Sequence, residues 1–177
     1  MKDRFPRATV KALVSSLNKL ASQGKTAASK KIRQEINIKA GDLGKQISIN
    51  KATQSRQASE LVGKGKRGIP LILFGGKWIR PQKGKGGRLS GSQSGASYMV
   101  RRGQRKIRPH SFIAVMKSGH KGIFVREGKK RIPIKEQFGI QPSLLLRTPK
   151  IVRVIKDLIR DKAGAIFKHE FIHFRSK

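Results

Sequence analysis

At 177 residues, the chain is long enough for one domain with a hydrophobic core, or for one domain and an extended arm. Its 42 Lys and Arg stand against only 9 Asp and Glu, and a net charge of +33 favours a polyanionic partner, either nucleic acid or a strongly acidic protein. Cysteine is absent, which excludes disulfides and Cys-based zinc sites, and without a secretory signal or a membrane span of roughly 20 apolar residues we expect a protein made in the cytoplasm.

Residues 3–46 predict three helices. Apolar residues at helical spacing run from Val10 to Ala21, after a helix start at residues 3–6, and Gly24 is expected to stop or kink this helix. A second, strongly cationic helix is predicted over residues 26–35, and a third, short one over residues 40–46.

The middle of the chain predicts short strands and a basic hairpin. Strands are expected at residues 47–49 and 59–62, whereas Pro70 makes the apolar run 69–75 an edge or irregular segment. Residues 76–95 are rich in Gly, Ser and Lys, a composition typical of a flexible loop. A strand at 96–101 and a basic turn at 101–106 then complete a long β-hairpin with a cationic end.

The densest apolar alternation lies at residues 108–139. Residues 112–116 are apolar on both sides of an extended chain, which predicts a strand that is covered on both faces. Further strands at 123–126 and 131–134 give two or three antiparallel strands.

The C-terminal part predicts helices. A helical turn is expected at 142–146, and Thr148 and Pro149 suit the N-cap and first position of a long helix that Gly164 interrupts. The predicted fold is therefore α+β: N-terminal helices and a long C-terminal helix on a small, mostly antiparallel sheet with the basic hairpin. We expect residues 1–146 to form the domain, with the flexible basic loop at 76–95, and residues 147–177 to pack on it or on a neighbouring subunit.

A long acid-free interval is the strongest local signal. Residues 61–126 contain 16 Lys and Arg and no Asp or Glu, whereas a solvated charged surface normally mixes both signs. This predicts sequence-independent, salt-sensitive binding of nucleic acid. Trp78 and Tyr98 could stack on bases, but a loop anchor or a sheet residue is the simpler interpretation. The candidate DNA-binding residues are Lys77, Arg80, Lys83, Lys85, Arg88, Arg101, Arg102, Arg105, Lys106 and Arg108.

Catalytic motifs are weak. His169–His173 matches the H-E-x-x-H pattern of zinc proteases, but a third ligand would have to come from His110 or His120, and the pattern occurs readily by chance. The glycine–lysine runs near Lys64 and Lys85 lack the spacing of a P-loop. His120 is better explained as a turn residue than as a catalytic one. We therefore expect no catalytic residue, no metal and no cofactor.

A set of short motifs runs along most of residues 5–146: 36–40, 69–71, 74–75, 112–114, 116–122, Phe124, Arg126, 132–134, Glu136 and 138–139. Together these motifs resemble the prophage minor tail protein Z family, the tail completion or neck proteins of long-tailed phages. The sequence departs from the family's usual Gly-Pro-Ser, because Ile140 and Gln141 separate Gly139 from Pro142, and its loop at 76–95 is longer and more basic.

The resemblance implies a structural virion protein of the neck, assembled in the host cytoplasm and acting late at the head–tail junction. It implies a homo-oligomeric ring, with six subunits as the expected number, that joins tail terminator, tail tube or head connector proteins. The basic hairpin would then face duplex DNA or an acidic tube lumen, and no membrane would be involved. The alternative from charge balance is a ribosomal or nucleoid-type protein that binds nucleic acid without sequence preference.

Overall fold

The structure, a computed structural model, describes residues 7–65, 67–79 and 94–176 of the chain. Within these residues it combines long helices with small antiparallel sheets, which confirms the predicted α+β class. The chain divides into two compact units. The first comprises the described parts of Met1–Ile32, Gly44–Lys64 and Pro142–Lys177, and the second comprises Arg33–Leu43 and the described parts of Gly65–Gln141.

Two long helices and a two-stranded sheet build the first unit. Helix α1 (Arg7–Glu35) contributes its residues up to Ile32, and strands β1 (Ile47–Asn50) and β2 (Glu60–Gly63) pair antiparallel. Helices α3 (Pro142–Arg147) and α4 (Pro149–Arg175) complete the unit. The Asn18 side chain fixes α1 to the segment after β1, because its amide donates to the Ala52 carbonyl at 3.1 Å and accepts from the Ala52 N–H at 2.8 Å.

Gly24 does not end the first helix. Residues 7–35 form one continuous helix, so the prediction of two separate helices was wrong for these residues. The buried side of α1 is a line of residues four apart, most of them small: Ala12, Ser16, Leu20, Gly24, Ala28 and Ile32. A Cβ on Gly24 would lie 3.7 Å from Leu61 and 4.0 Å from Ile155. The side chains of Leu61 on β2 and Ile155 on α4 therefore lie beside Gly24, and the contacts of α1 as a whole outweigh the low helix propensity of one glycine.

We expect Gly24→Ala to stabilise the protein by about 0.5–1 kcal/mol, because alanine restricts the unfolded chain and its Cβ would make only ordinary van der Waals contacts. The free energy of unfolding in urea measures this gain. Gly63→Ala is the matched control and should destabilise, since its Cβ would lie 2.4 Å from the Ser143 nitrogen. A loss of stability in Gly24→Ala would contradict the packing described for α1.

Two three-stranded antiparallel sheets form most of the second unit. One has the order β3 (Lys77–Ile79), β4 (Gly95–Tyr98), β5 (Lys106–Pro109). Strands β4 and β5 confirm the hairpin predicted around the basic turn at 101–106. Residues 77–79 and 95 were predicted to belong to a loop, and this was wrong, because β3 gains its strand structure from pairing with β4. The other has the order β6 (Ser111–Val115), β7 (Lys121–Arg126), β8 (Ile134–Glu136). Helix α2 (Ala40–Gln46), which has the predicted bounds, contributes its residues up to Leu43. A short 3-10 helix, Leu71–Phe74, follows Pro70.

Within the sheet β6–β7–β8, the best-covered strand is β7, not β6. Ile123 and Phe124 are buried, whereas Val115 is 63% exposed, so the expectation that residues 112–116 are covered on both faces was wrong. The topology gives the reason. Strand β7 has a partner on each side, while β6 has one partner within its sheet, and apolar content alone does not distinguish a central strand from an edge strand.

The C-terminal helix begins as predicted and continues past Gly164. Thr148 occupies the N-cap and Pro149 the first helical position, but the Thr148 hydroxyl donates to the Leu144 carbonyl at 3.2 Å instead of capping α4. Gly164 was expected to interrupt the helix and does not. It is exposed, and no atom of the described residues would lie within 4 Å of a Cβ there, so the helix accepts the glycine at the modest cost of its low propensity.

Candidate nucleic-acid interface

One side of the sheet β3–β4–β5 carries aromatic and cationic side chains together. Trp78 and Arg108 both pair with Ala96, one from each neighbouring strand, and Tyr98 pairs with Lys106. Directly paired residues point to the same side of a sheet, and alternate residues of one strand do likewise. Trp78, Tyr98, Lys106 and Arg108 therefore share one side, which we call the basic face.

A groove of about 470 Å³ opens on the basic face. Tyr98, Lys106 and Arg108 line it from the strands, and Arg101 and Gln104 from the turn between β4 and β5. The opposite wall is formed by residues 137–140, whose backbone pairs with that of Ile69 and Leu71. The three cations are exposed, and their side chains make no hydrogen bond or ion pair within the described part of the chain.

Backbone hydrogen bonds hold the turn that carries Arg101. The Asn37 N–H donates to the Val100 carbonyl at 2.8 Å, and the Arg102 N–H donates to the Glu35 carbonyl at 2.9 Å. Ile36 and Arg101 form a β-bridge. The turn is therefore anchored on both sides of Arg101, and this cation is presented from a fixed backbone.

The other predicted DNA-binding residues are placed differently. Lys77 pairs with Ser97 on the side of the sheet opposite the basic face, and Arg105 donates to the Ser97 hydroxyl at 3.0 Å on that same side. The Arg102 guanidinium donates to the Arg33 carbonyl at 2.9 Å. Arg105 and Arg102 thus have structural partners. Arg80, Lys83, Lys85 and Arg88 lie outside the described residues.

The H-E-x-x-H segment is used for packing in the first unit. The Glu170 side chain is only 4% exposed and accepts hydrogen bonds from the Lys19 ammonium at 2.5 Å, the Ser15 hydroxyl at 2.6 Å and the His169 ring at 3.1 Å. The Lys19 hydrogen bond, followed by that from Ser15, lowers the pKa of Glu170 from 4.5 to about 2. In a zinc protease this glutamate would have to face a metal-bound water, whereas here it links α4 to α1.

His120 lies in the turn between β6 and β7, as predicted. Its ring nitrogen lies 2.7 Å from a carboxylate oxygen of Glu136 on β8. This contact ties the turn to the far strand of the sheet. Among residues 7–65, 67–79 and 94–176, no three His, Asp or Glu side chains come together in a way that could hold a metal ion. In the same ranges no helix has the length and apolarity to cross a membrane.

Gln104 and Phe138 also line the groove, and neither was predicted from the sequence as a site residue. Nothing in the composition marks these two residues as parts of a binding groove. Phe138 reaches the groove through its β-bridge with Pro70, a contact between residues far apart in sequence. The register of β4 and β5 was the missing signal: once Tyr98 is paired with Lys106, the aromatic and cationic side chains are placed on one side.

A comparison with protein families matches residues 2–156 to the family described as prophage minor tail protein Z. The match covers most of the 177 residues and includes the basic face, α1, α3 and the start of α4, which continues beyond residue 156. Neither a curated protein nor a solved structure matches the chain.

Proposed function

Because the chain belongs to the prophage minor tail protein Z family, we propose that it is a structural protein of the virion that completes the tail at the head–tail junction. Family membership itself makes it a phage minor tail protein. We propose three further properties: a position at the neck, a role without catalysis, and a contact with DNA. The acid-free interval beside an ordered core supports it, since a neck protein meets the genome where the genome enters the tail.

The proposed DNA contact rests on the basic face. Arg101, Lys106 and Arg108 are exposed cations on one groove, and none of the described residues that line this groove is acidic. Cations placed in this way neutralise backbone phosphates without reading sequence. The remaining predicted residues, Lys77, Arg80, Lys83, Lys85, Arg88, Arg102 and Arg105, are proposed to contact DNA phosphates outside the groove.

The proposed ring uses apolar surface that the chain leaves uncovered. Of the 27 residues of α4, only Ile151 and Glu170 are buried, and Ile159 and Ile172 are 44% and 58% exposed. We propose that residues 147–177, besides packing on α1, contact a neighbouring subunit in a ring of six. Tail terminator, tail tube or head connector proteins would be the further partners.

Duplex binding at several salt concentrations tests the DNA contact. Each neutralised phosphate contributes about −0.9 to the slope of log affinity against log salt, so three cations predict a slope of about −3 or steeper between about 50 and 200 mM salt. Fluorescence anisotropy with two unrelated duplexes measures it, and both should give the same slope and affinity. A slope near zero would overturn the proposed DNA contact.

The charge balance, with 42 Lys and Arg, would also suit a ribosomal or nucleoid-type protein, but the family match does not support that alternative. Sedimentation of an infected-cell lysate separates the two. We expect the chain in tail and virion fractions, and its recovery with ribosomes or bulk nucleoid would favour the alternative.

A further inference from the structure

The groove on the basic face has the parts of a nucleotide site, and we propose that it binds an unpaired nucleotide of single-stranded DNA at a duplex end. This inference rests on the proposed DNA contact and makes it more specific: the surrounding cations hold the duplex backbone, while the groove accepts one base and its phosphate.

Aromatic side chains supply the surface for the base. Tyr98 and Phe138 both line the groove and are half-buried, so their rings are held by the fold while part of each remains accessible. The Arg67 guanidinium lies 5.9 Å from the centre of the Phe138 ring. Bases stack on such rings without regard to sequence, because every base has a π-face.

Cations and amides surround the aromatic side chains. Arg101, Lys106 and Arg108 can neutralise the phosphate that follows a bound base. Gln104 and Gln137 line the same groove, and an amide side chain can both donate to and accept from the edge of a base. A groove that served only to hold a duplex backbone would not need these amides or a partly enclosed aromatic ring.

The dimensions favour an unpaired nucleotide. A volume of about 470 Å³ lies within the range of roughly 300–1,000 Å³ that is typical of pockets for small ligands. In a duplex the base faces are covered by neighbouring base pairs, so a base reaches an aromatic wall only where the strand is unpaired. An acidic peptide would satisfy the cations, but it would leave the aromatic rings without a stacking partner.

The test compares a blunt duplex with the same duplex carrying a short single-stranded overhang. We expect the full chain to bind the overhang duplex about tenfold more tightly, an effect in the range that base–aromatic stacking provides. Tyr98→Leu and Gln104→Ala should each reduce this preference, the ratio of the affinities for the overhang and blunt duplexes, to about twofold or less, whatever their effect on the affinity for the blunt duplex itself. Tyr98→Phe keeps the π-face and should keep the preference. Gln54→Ala, an exposed amide outside the groove, is the control for Gln104→Ala.

The outcomes separate this inference from the proposed function. Salt-dependent binding of the blunt duplex with no preference for the overhang would overturn the nucleotide site and leave the DNA contact in place. No binding of either DNA would overturn both. A preference that survives both Tyr98→Leu and Gln104→Ala, with circular dichroism showing folded variants, would place the site elsewhere. A further outcome would also overturn the inference: the wild-type chain shows no preference for the overhang duplex but binds a polyglutamate peptide, and both variants abolish this peptide binding. That result would assign the groove to an acidic protein partner.

Discussion

Replacing Arg101, Lys106 and Arg108 together by glutamine should weaken binding to a blunt duplex by about 100-fold at about 0.1 M salt. The three side chains are exposed cations on one groove, and glutamine removes their charge while keeping most of their length. The salt slope should become shallower by about 3, because each lost phosphate contact contributes about one unit. Fluorescence anisotropy over a salt series measures both quantities.

The matched control removes the same charge elsewhere in the second unit. Lys117, Lys129 and Lys130 are exposed and do not line the groove. Their triple glutamine variant has the same net charge as the groove variant, and we expect its affinity to fall by less than about threefold, since only the long-range field changes. Equal losses in the two triple variants would show that total charge, and not the basic face, determines DNA binding.

Glu170→Gln should lower the free energy of unfolding by about 1–3 kcal/mol at neutral pH, the range for hydrogen bonds to charged groups. The carboxylate is buried and accepts hydrogen bonds from Lys19, Ser15 and His169. The loss of stability stays within this range because the Lys19 side chain is 53% exposed and solvent can hydrate it once its partner is neutral. Urea unfolding of the two proteins measures the difference.

The difference in unfolding free energy between wild type and Glu170→Gln should depend on pH. The pKa of Glu170 is lowered to about 2 in the folded chain, so its carboxylate stabilises the fold above its ordinary pKa of 4.5, and this stabilisation is lost as the pH falls towards about 2. The stability difference between wild type and Glu170→Gln should therefore shrink over that interval. Asp161→Asn on the same helix, at a side chain that is 65% exposed, is the control and should change stability by less than about 0.5 kcal/mol. A difference for Glu170→Gln that does not vary with pH would contradict the ion-pair interpretation.

Local signals in the sequence predicted much of the element order. Helix α2 has the predicted bounds, and Thr148 and Pro149 mark the start of α4, because short-range rules govern helix ends. The same rules failed at Gly24 and Gly164. Intrinsic propensity at one residue is worth about 1 kcal/mol, and at Gly24 the packing of α1 against β2 and α4 outweighs it.

Charge predicted the region of the candidate interface but not its geometry. The acid-free interval contained Arg101, Lys106 and Arg108, which the structure brings to one groove, and also Lys77 and Arg105, which lie on the other side of the sheet. Which cations share a side depends on the register of β4 and β5, and a shift by one residue would exchange the two sides. Glu170 was missed for a similar reason, because its partners Ser15 and Lys19 lie far away in sequence.

The most direct test is a cryo-EM reconstruction of virions that contain this chain, with symmetry imposed only after it has been observed. We expect a closed ring of copies at the head–tail junction, with Arg101, Lys106 and Arg108 of each copy directed at the DNA in the central channel. A ring at the junction with these three residues directed away from the channel would contradict the DNA contact. The absence of the chain from the junction would contradict the proposed function itself.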